Sequence, residues 1–195
     1  MNTNIIFTNC GSVELVQENL DVDFICNVAR TCKHGESVPR KTPEENNRFA
    51  AALWKAGHGS VFEFADCVYK VKAPIFVARQ LMRYRTGKYC EKSLRSTAVE
   101  RRKEENDVYD SHYNACVDFY KALIAQGVKR EEARRVLPLD SPTCYFFKID
   151  ARNLLHLLEE RTSHAAQFET RETAEAMKQL IILNNPRFAE VVGLC

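Results

Sequence analysis

The sequence predicts a single α+β domain. Three stretches, at 5–15, 67–72 and 145–149, are predicted as strands, and in the second of them apolar and basic residues alternate. Longer segments around these strands carry apolar residues at helical spacing. The chain has 195 residues and contains no internal repeat, low-complexity tract or linker, so we expect one domain over 1–195.

The first half of the chain is predicted to alternate strands with helices. In order, we expect a strand and turn at 5–15 broken at Gly11, a helix from 21 to about 31, a helix beginning near 42, and a strand at 67–72. The second helix has the clearest start, because Thr42 can cap it, Pro43 suits its first position and Glu45 completes a capping box. Gly57 can end it in a left-handed conformation.

The second half is predicted to be mainly helical. We expect a helix from Pro74 to about Tyr84, a polar loop to 95, a charged segment at 96–107 that is loop or helix start, helices at 109–126, 130–137 and 151–161, a strand at 145–149, and final helices to about 183 and at 188–192. Pro74 suits a first helical turn because its missing N–H has no partner to lose.

Charge and composition exclude several classes of protein. The chain has 28 Lys and Arg against 26 Asp and Glu, a balance that gives no indication of a nucleic-acid partner. No apolar run approaches the roughly 20 residues of a membrane span, and residues 1–5 do not resemble a signal peptide. None of the eight cysteines forms a Cys-x-x-Cys pair. We therefore expect reduced thiols in a cytoplasmic protein with no metal site and no membrane or nucleic-acid partner.

The stretch from Arg79 to Arg95 is the most basic part of the chain. On the predicted helix, Arg83 would share a face with Gln80, three residues earlier, and with Arg79, four earlier. The following loop adds further cations and hydroxyls, namely Arg85, Thr86, Lys88, Lys92, Ser93 and Arg95, around the carboxylate of Glu91. Such groups suit a phosphate, although a solvated basic turn would have the same composition.

The motif Arg83-Tyr84-Arg85, seven residues and then Ser93 resembles the signature of flavin-dependent thymidylate synthases (the ThyX family), which is Arg-His-Arg, seven residues, Ser. The preceding run 73–80 and Glu91-x-Ser93-x-Arg95 are also similar to that family. The resemblance implies a mixed or antiparallel sheet with a helical bundle, assembled as a homotetramer with shared active sites. It also implies synthesis of dTMP from dUMP, with 5,10-methylenetetrahydrofolate as carbon donor and NADPH-reduced FAD as reductant.

Three further segments resemble the family in the same order along the chain. Gly57-His58-Gly59-Ser60 with Glu63 is similar to Gly-His-x-Ser/Thr-x-x-Glu, and 133–139 to Ala-Arg-x-x-Leu-Pro-Leu. Arg161 followed by 166–171 is similar to the run Arg…Ala-Gln-Trp-Glu-x-Arg. The arginines fall into three separate groups, which suits a multi-phosphate ligand or two anionic ligands. No Rossmann or Walker glycine motif is present, so FAD binding is expected from the resemblance alone.

The resemblance also implies a role for individual residues. FAD-binding positions are Ser60, Arg83, Tyr84, Arg85, Glu91, Asp150, Ala151, Arg152 and His156, with His58 and Glu63 in support. Positions expected to bind dUMP are Gln80, Arg83, Glu91, Ser93, Arg95, Arg134 and Arg161. Arg161 is the expected catalytic residue, because a guanidinium can stabilise the anion that forms when N3 of the uracil loses its proton. From the residues alone, Arg161 could instead serve the helix dipole, and His58 could cap a turn.

The chain departs from the family pattern at several positions. Tyr84 stands where the family usually has His, and His156 where it commonly has Asn. Lys88 and Cys90 replace small polar residues, and the segment after Arg95 is short. Cys90 is not expected to be a nucleophile. Two other functions stay open: a flavin-dependent pyrimidine-nucleotide hydroxymethylase on the same scaffold, and a non-catalytic nucleotide- or nucleic-acid-binding relative.

Overall fold

A computed structural model describes residues 4–103 and 107–195. Residues 104–106 of the charged segment predicted at 96–107, and residues 1–3 of the N-terminal stretch examined for a signal peptide, lie outside the described residues. The described residues form an α+β fold with one antiparallel sheet, in the strand order β1-β2-β3-β5-β4. The strands are β1 (Ile5–Thr8), β2 (Gly11–Asn19), β3 (Asp66–Pro74), β4 (Lys88–Glu91) and β5 (Pro142–Asp150).

The alternation predicted for 67–72 is confirmed in the central strand β3. Cys67, Tyr69 and Val71 are fully buried on one face, whereas Lys72 is exposed on the other. Period-two alternation has this effect because successive side chains of a strand point to opposite faces of the sheet. The buried face of β3 therefore forms one side of the hydrophobic core.

The helices cover this buried face and one end of the sheet. They are α1 (Val22–His34), α2 (Pro43–Lys55), α3 (Ile75–Leu81), α4 (Val108–Ala125), α5 (Arg130–Ala133), α6 (Ala151–Arg161), α7 (Phe168–Asn184) and α8 (Pro186–Val192), with short 3₁₀ helices at Gly59–Phe64 and Arg134–Val136. The capping box of Thr42 and Glu45 is present, and Gly57 adopts a left-handed φ of 77°. No helix in the described part of the chain is long and apolar enough to cross a membrane.

Two apolar clusters hold these elements together. The larger one joins the buried face of the sheet to leucines of α6, such as Leu154 and Leu157, and to Leu180 of α7. The smaller one lies beneath α4 and α5 and contains Val99, Tyr113, Val117, Tyr120 and Ala133. Leu94 and Leu137 pack against the smaller cluster. The cluster therefore positions the two segments that contain them, and both segments line a pocket described below.

The helix predicted from Pro74 to Tyr84 is wrong at both ends. Pro74 is the last residue of β3, opposite Pro142, and its backbone is extended. The helix ends at Leu81 because the following backbone turns, with Tyr84 N–H bonded to the Leu81 carbonyl. The Tyr89 hydroxyl holds this end by donating to the carbonyls of Leu81 and Tyr84, at 2.8 and 3.0 Å. Arg83 therefore does not share a helical face with Gln80.

The predicted polar loop at 85–95 contains a strand. Its residues 88–91 form β4 and pair with 145–148 of β5. Glycine at position 87 allows the chain to pass close to β5, because a β-carbon there would lie 2.5 Å from Cε2 of Phe147. The first strand also differs from its prediction, since the turn lies at 9–10 and β2 continues to Asn19.

Candidate active site

Part of the basic stretch, together with the arginines of a 3₁₀ helix, lines a cavity of about 640 Å³, here called the basic pocket. It lies where α3, the end of β4 and the segment 134–139 meet. Its charged lining residues are Arg79, Lys92, Arg134, Arg135 and Glu91. Ile75, Met82, Leu137 and Pro138 supply apolar walls. Four cations, one carboxylate and an apolar surface suit a ligand that is anionic at one end and flat at the other.

Three residues predicted to bind dUMP line the basic pocket. They are Glu91, Ser93 and Arg134. Glu91 is held at the end of β4, because its Oε1 accepts a hydrogen bond of 2.7 Å from the Thr143 hydroxyl. The Ser93 hydroxyl accepts from the backbone N–H of Arg95, which orders the turn after β4. These contacts fix a carboxylate and a hydroxyl at the rim.

Other predicted dUMP residues lie elsewhere in the described chain. Gln80 points to Gln167, and its Nε2 donates to Gln167 Oε1 at 2.5 Å. Arg83 is exposed in the turn beyond α3, and Arg95 forms an exposed ion pair of 3.2 Å with Glu131. The shorter α3 explains the difference for Arg83, since the expected helical face does not extend that far.

The sequence interpretation assigned no binding role to three cations of the basic pocket, Arg79, Lys92 and Arg135. Arg79 and Lys92 belonged to the basic stretch that had been identified, but they matched no assigned position. The adjacent pair Arg134-Arg135 could have indicated a binding surface from the sequence. Both residues belong to a 3₁₀ helix and both are exposed, so neither is needed for packing of the core, and both can bind an anion.

A second cavity, of about 460 Å³, lies beside the first turns of α6 and is here called the α6 pocket. It is lined by Trp54, Gly57, Gly59, Arg152, Asn153, His156 and Glu159. Arg152 Nη1 donates to Glu63 Oε1 at 2.5 Å. A β-carbon on Gly59 would lie 2.8 Å from Arg152 Nε, so glycine lets this loop pass close to the guanidinium. The predicted pair Arg152 and His156 therefore does share one face and one cavity.

Four other residues predicted to bind or support FAD lie one or two positions in sequence from residues that line the α6 pocket, whereas Glu91 lines the basic pocket and Arg83 and Arg85 are exposed in the turn after α3. His58 and Ser60 are exposed on either side of Gly59. The Asp150 carboxylate caps α6 by accepting from the backbone N–H of Asn153 at 3.0 Å. Ala151 is fully buried, and its N–H donates to the Ala65 carbonyl. Asp150 and Ala151 thus have structural contacts of their own within this chain.

Tyr84, His156, Glu160 and Arg161 form a third group, here called the Tyr84 cluster. The Tyr84 hydroxyl donates to Glu160 Oε2 at 2.5 Å, and the ring centroids of His156 and Tyr84 lie 6.1 Å apart in an edge-to-face arrangement. Burial and the Glu160 carboxylate raise the pKa of Tyr84 to about 12. The hydrogen bond from Tyr84 lowers the pKa of Glu160. The phenol therefore stays neutral at physiological pH and acts as a donor.

Arg161 occupies a site unlike that of a solvated helix-end arginine. Its Cζ lies 5.4 Å above the centroid of the Tyr84 ring, within the range of a cation–π contact. Its Nε is buried and has no hydrogen-bond partner among the described residues. A buried guanidinium N–H normally finds an acceptor, so contacts within the described residues leave the environment of this atom unexplained. The arrangement can place a permanent positive charge where an anion develops.

Cys90 lies outside both pockets. It is exposed on β4 opposite Phe146, whereas its neighbour Glu91 lines the basic pocket. Because side chains alternate along a strand, Cys90 points to the other face of the sheet. This geometry agrees with the expectation that its thiol is not a nucleophile.

Comparisons with known proteins agree on one family. A family model described as thymidylate synthase complementing protein matches residues 14–186. The chain is similar to a flavin-dependent thymidylate synthase of Thermosipho africanus, at 31% identity over 78% of this chain and 78% of that protein. A protein of the same name from Thermus thermophilus is 33% identical, over 88% of this chain and 71% of the relative.

The fold has a solved counterpart. The crystal structure of the UMP/dUMP methylase PolB from Streptomyces cacaoi, bound with 5-Br dUMP, superimposes with a TM-score of 0.82 at 25% identity. The match covers 98% of this chain and 96% of that one. The similarity of fold therefore extends over almost the whole chain.

Proposed function

This chain belongs to the flavin-dependent thymidylate synthase family, and we propose that it makes dTMP from dUMP as one domain spanning 1–195. In this proposal 5,10-methylenetetrahydrofolate supplies the carbon, and NADPH supplies electrons through FAD. The observation that supports it most is the basic pocket, where four cations and Glu91 line a cavity of about 640 Å³ in the segments that resemble the family's nucleotide-binding motifs.

The basic pocket suits dUMP. A nucleotide monophosphate carries about two negative charges near neutral pH, and arginine forks bind such a group in a bidentate manner. Arg79, Arg134 and Arg135 are the cations best placed for it, together with the Ser93 hydroxyl. The apolar wall around Leu137 would cover a face of the pyrimidine.

The α6 pocket suits part of FAD. The Arg152 side chain occupies the space that a β-carbon at Gly59 would need, which holds its guanidinium against this loop, and Trp54 offers an aromatic surface in the same pocket. Arg152 and His156 provide donors for phosphate or ring oxygens. When bound, FAD would supply the reducing equivalents that convert the transferred carbon to a methyl group. Ser60, Arg83, Arg85 and Asp150 remain proposed flavin contacts.

The protein's contribution to the reaction would be charge stabilisation at the pyrimidine. Arg161 would stabilise the uracil anion formed when N3 loses its proton, because its guanidinium remains charged and has an unused, buried N–H. This makes C5 electron-rich and able to attack the carbon donor. Glu91, fixed by Thr143, would lie between the nucleotide and the flavin.

We also propose a homotetramer whose active sites are shared between chains. Within one chain the proposed dUMP residues fall into two sets, since Glu91, Ser93 and Arg134 line the basic pocket while Gln80 contacts Gln167 and Arg161 contacts Tyr84. Assembly could bring both sets to one nucleotide. Large exposed apolar side chains of α4, such as Tyr109 and Phe119, would be covered in such an assembly. Light scattering should give a mass near four chains, and an active monomer would contradict the proposal.

Product analysis tests the reaction itself. Purified protein is incubated with dUMP, FAD, NADPH and methylenetetrahydrofolate, and the nucleotide product is identified by mass spectrometry. The proposal predicts dTMP and dependence on all three additions. A hydroxymethyl product would identify the alternative enzyme on the same scaffold. Unchanged dUMP, from a protein that binds FAD and nucleotide, would favour a non-catalytic relative.

A further inference from the structure

The side chain of Tyr84 is held more firmly than those of the neighbouring residues of the basic stretch. It is 9% exposed, whereas Arg83 and Arg85 on either side are exposed. Its own carbonyl accepts from Gly87 N–H at 3.0 Å and from the Tyr89 hydroxyl at the same distance. Two hydrogen bonds to this carbonyl therefore fix the backbone that carries the phenol ring.

The ring and the hydroxyl of Tyr84 each contact the end of α6. The ring face lies beneath Arg161, with 5.4 Å between Cζ and the centroid, and the hydroxyl donates to Glu160. These two residues are adjacent in the last turn of α6. A single side chain thus restrains both the guanidinium and the turn from which it projects.

Arg161 needs such a restraint. An arginine side chain has several rotatable bonds and loses rotamer entropy when it is fixed. Its Nε makes no hydrogen bond to the described residues, so hydrogen bonding at that atom does not orient the guanidinium before a ligand binds. The ring contact supplies orientation while leaving Nε without a partner among the described residues.

We propose that Tyr84 is the positioning residue for Arg161, holding the guanidinium on its ring face and the last turn of α6 through Glu160. The inference rests on the role given to Arg161 in the proposed function. His156, which lines the α6 pocket, forms an edge-to-face pair with the same ring. Tyr84 therefore also joins the wall of the α6 pocket to Arg161.

A double-mutant cycle between Tyr84→Leu and Arg161→Ala tests the ring contact. Leucine removes the aromatic face, and we expect the kcat for dTMP formation to fall roughly tenfold. The same substitution in the Arg161→Ala background should cost almost nothing, because the group that Tyr84 positions is gone. If the fold reductions in kcat of the two single variants multiply in the double variant, the inference is overturned, since Tyr84 would then have a general structural role. Phe7→Leu, which replaces an exposed aromatic residue on β1 with leucine, is the matched control.

Tyr84→Phe and Glu160→Ala test the hydroxyl contact. These two variants can decide the question even if Tyr84→Leu does not fold. Each should lower the affinity for dUMP, measured by calorimetry, by about threefold, and the double variant should lose no more than either alone. Affinity equal to that of the parent in both variants would overturn this half of the inference. If the parent itself binds no dUMP and makes no dTMP, the proposed function fails first. A parent that does both leaves the cycles to decide on Tyr84 alone.

Discussion

Arg152 Nη1 donates a hydrogen bond to Glu63 Oε1 at 2.5 Å, across 89 positions of the sequence. The pair joins the 3₁₀ helix after Gly59 to the first turn of α6. Both side chains are about half exposed, so the pair adds less than about 1 kcal/mol to the free energy of unfolding. The contact is better explained by what it orients, because it holds a guanidinium at the rim of the α6 pocket.

Arg152→Ala should weaken FAD binding while leaving the fold intact. Loss of one charge-assisted contact to a phosphate or ring oxygen should raise the Kd at least about tenfold. Quenching of flavin fluorescence during titration measures it, and Arg48→Ala, an exposed arginine of α2, is the control. Glu63→Gln should give a smaller loss, since it keeps an acceptor for Arg152. Equal FAD affinity in all four proteins would remove Arg152 from the flavin site.

Arg161→Ala should abolish most turnover without preventing flavin reduction. We expect the variant to bind FAD and oxidise NADPH, while dTMP formation falls by roughly a hundredfold or more, as when a charge-stabilising donor is removed. Arg161→Lys should not restore the rate, because a point charge lacks the planar fork. Thermal unfolding provides the control for folding. A folded Arg161→Ala protein with the parent rate of dTMP formation would return Arg161 to the role of a helix-dipole residue.

Gly87→Ala should destabilise the protein through crowding. The added β-carbon would lie 2.5 Å from Cε2 of Phe147 and 2.8 Å from the Tyr89 hydroxyl, and overpacking of this kind costs about 1–3 kcal/mol. Urea unfolding measures the loss, and Thr86→Ala, at the exposed neighbouring position, is the control. In a Phe147→Leu background the same Gly87→Ala substitution should cost less, because the ring that obstructs the added carbon is gone. If the Gly87→Ala protein is as stable as the Thr86→Ala protein, the chain near Phe147 shifts to accept the added methyl group at little cost, and the prediction is wrong.

Asp23 should make stability depend on pH in the acid range. Hydrogen bonds from Arg187, helped by Asn46, lower its pKa from 3.8 to about 2. A pKa depressed by folding stabilises the folded state above the unfolded-state value of about 4, and this contribution is lost as the pH falls towards 2. Because both side chains are over a third exposed, we expect only about 1 kcal/mol at pH 7.

Asp23→Asn tests this dependence. The difference in unfolding free energy between parent and variant should be largest at pH 7 and should fall to about half by pH 3. Chemical denaturation at several pH values measures it. Asp21→Asn, which changes a carboxylate at the cap of α1, separates a general charge effect from that of the Arg187 pair. An equal difference at pH 7 and pH 3 would exclude the titration of Asp23 as its cause.

Several elements could be predicted because their signals are local. The capping box at Thr42 and the Asp150 cap of α6 depend on residues three positions apart, so the sequence contains the whole motif. The end of α3 and the existence of β4 could not be predicted in this way. Both depend on tertiary contacts: the hydroxyl of Tyr89, which is brought back by strand pairing, closes the turn after α3, and β4 pairs with the distant β5. Pairing between strands more than fifty residues apart outweighs the local preference of a polar, basic stretch.

Residue identity and spacing by themselves determined the family and the order of its segments, from Gly57-His58-Gly59-Ser60 to Arg161, because a motif is a property of the chain as written. Only the tertiary structure decided which members of those motifs meet. Glu91 lines the basic pocket with Arg134, and Arg161 lies on Tyr84 instead of beside Gln80. The physical reason is that side-chain proximity follows from strand register, helix length and packing, each of which is set by contacts between residues far apart in sequence.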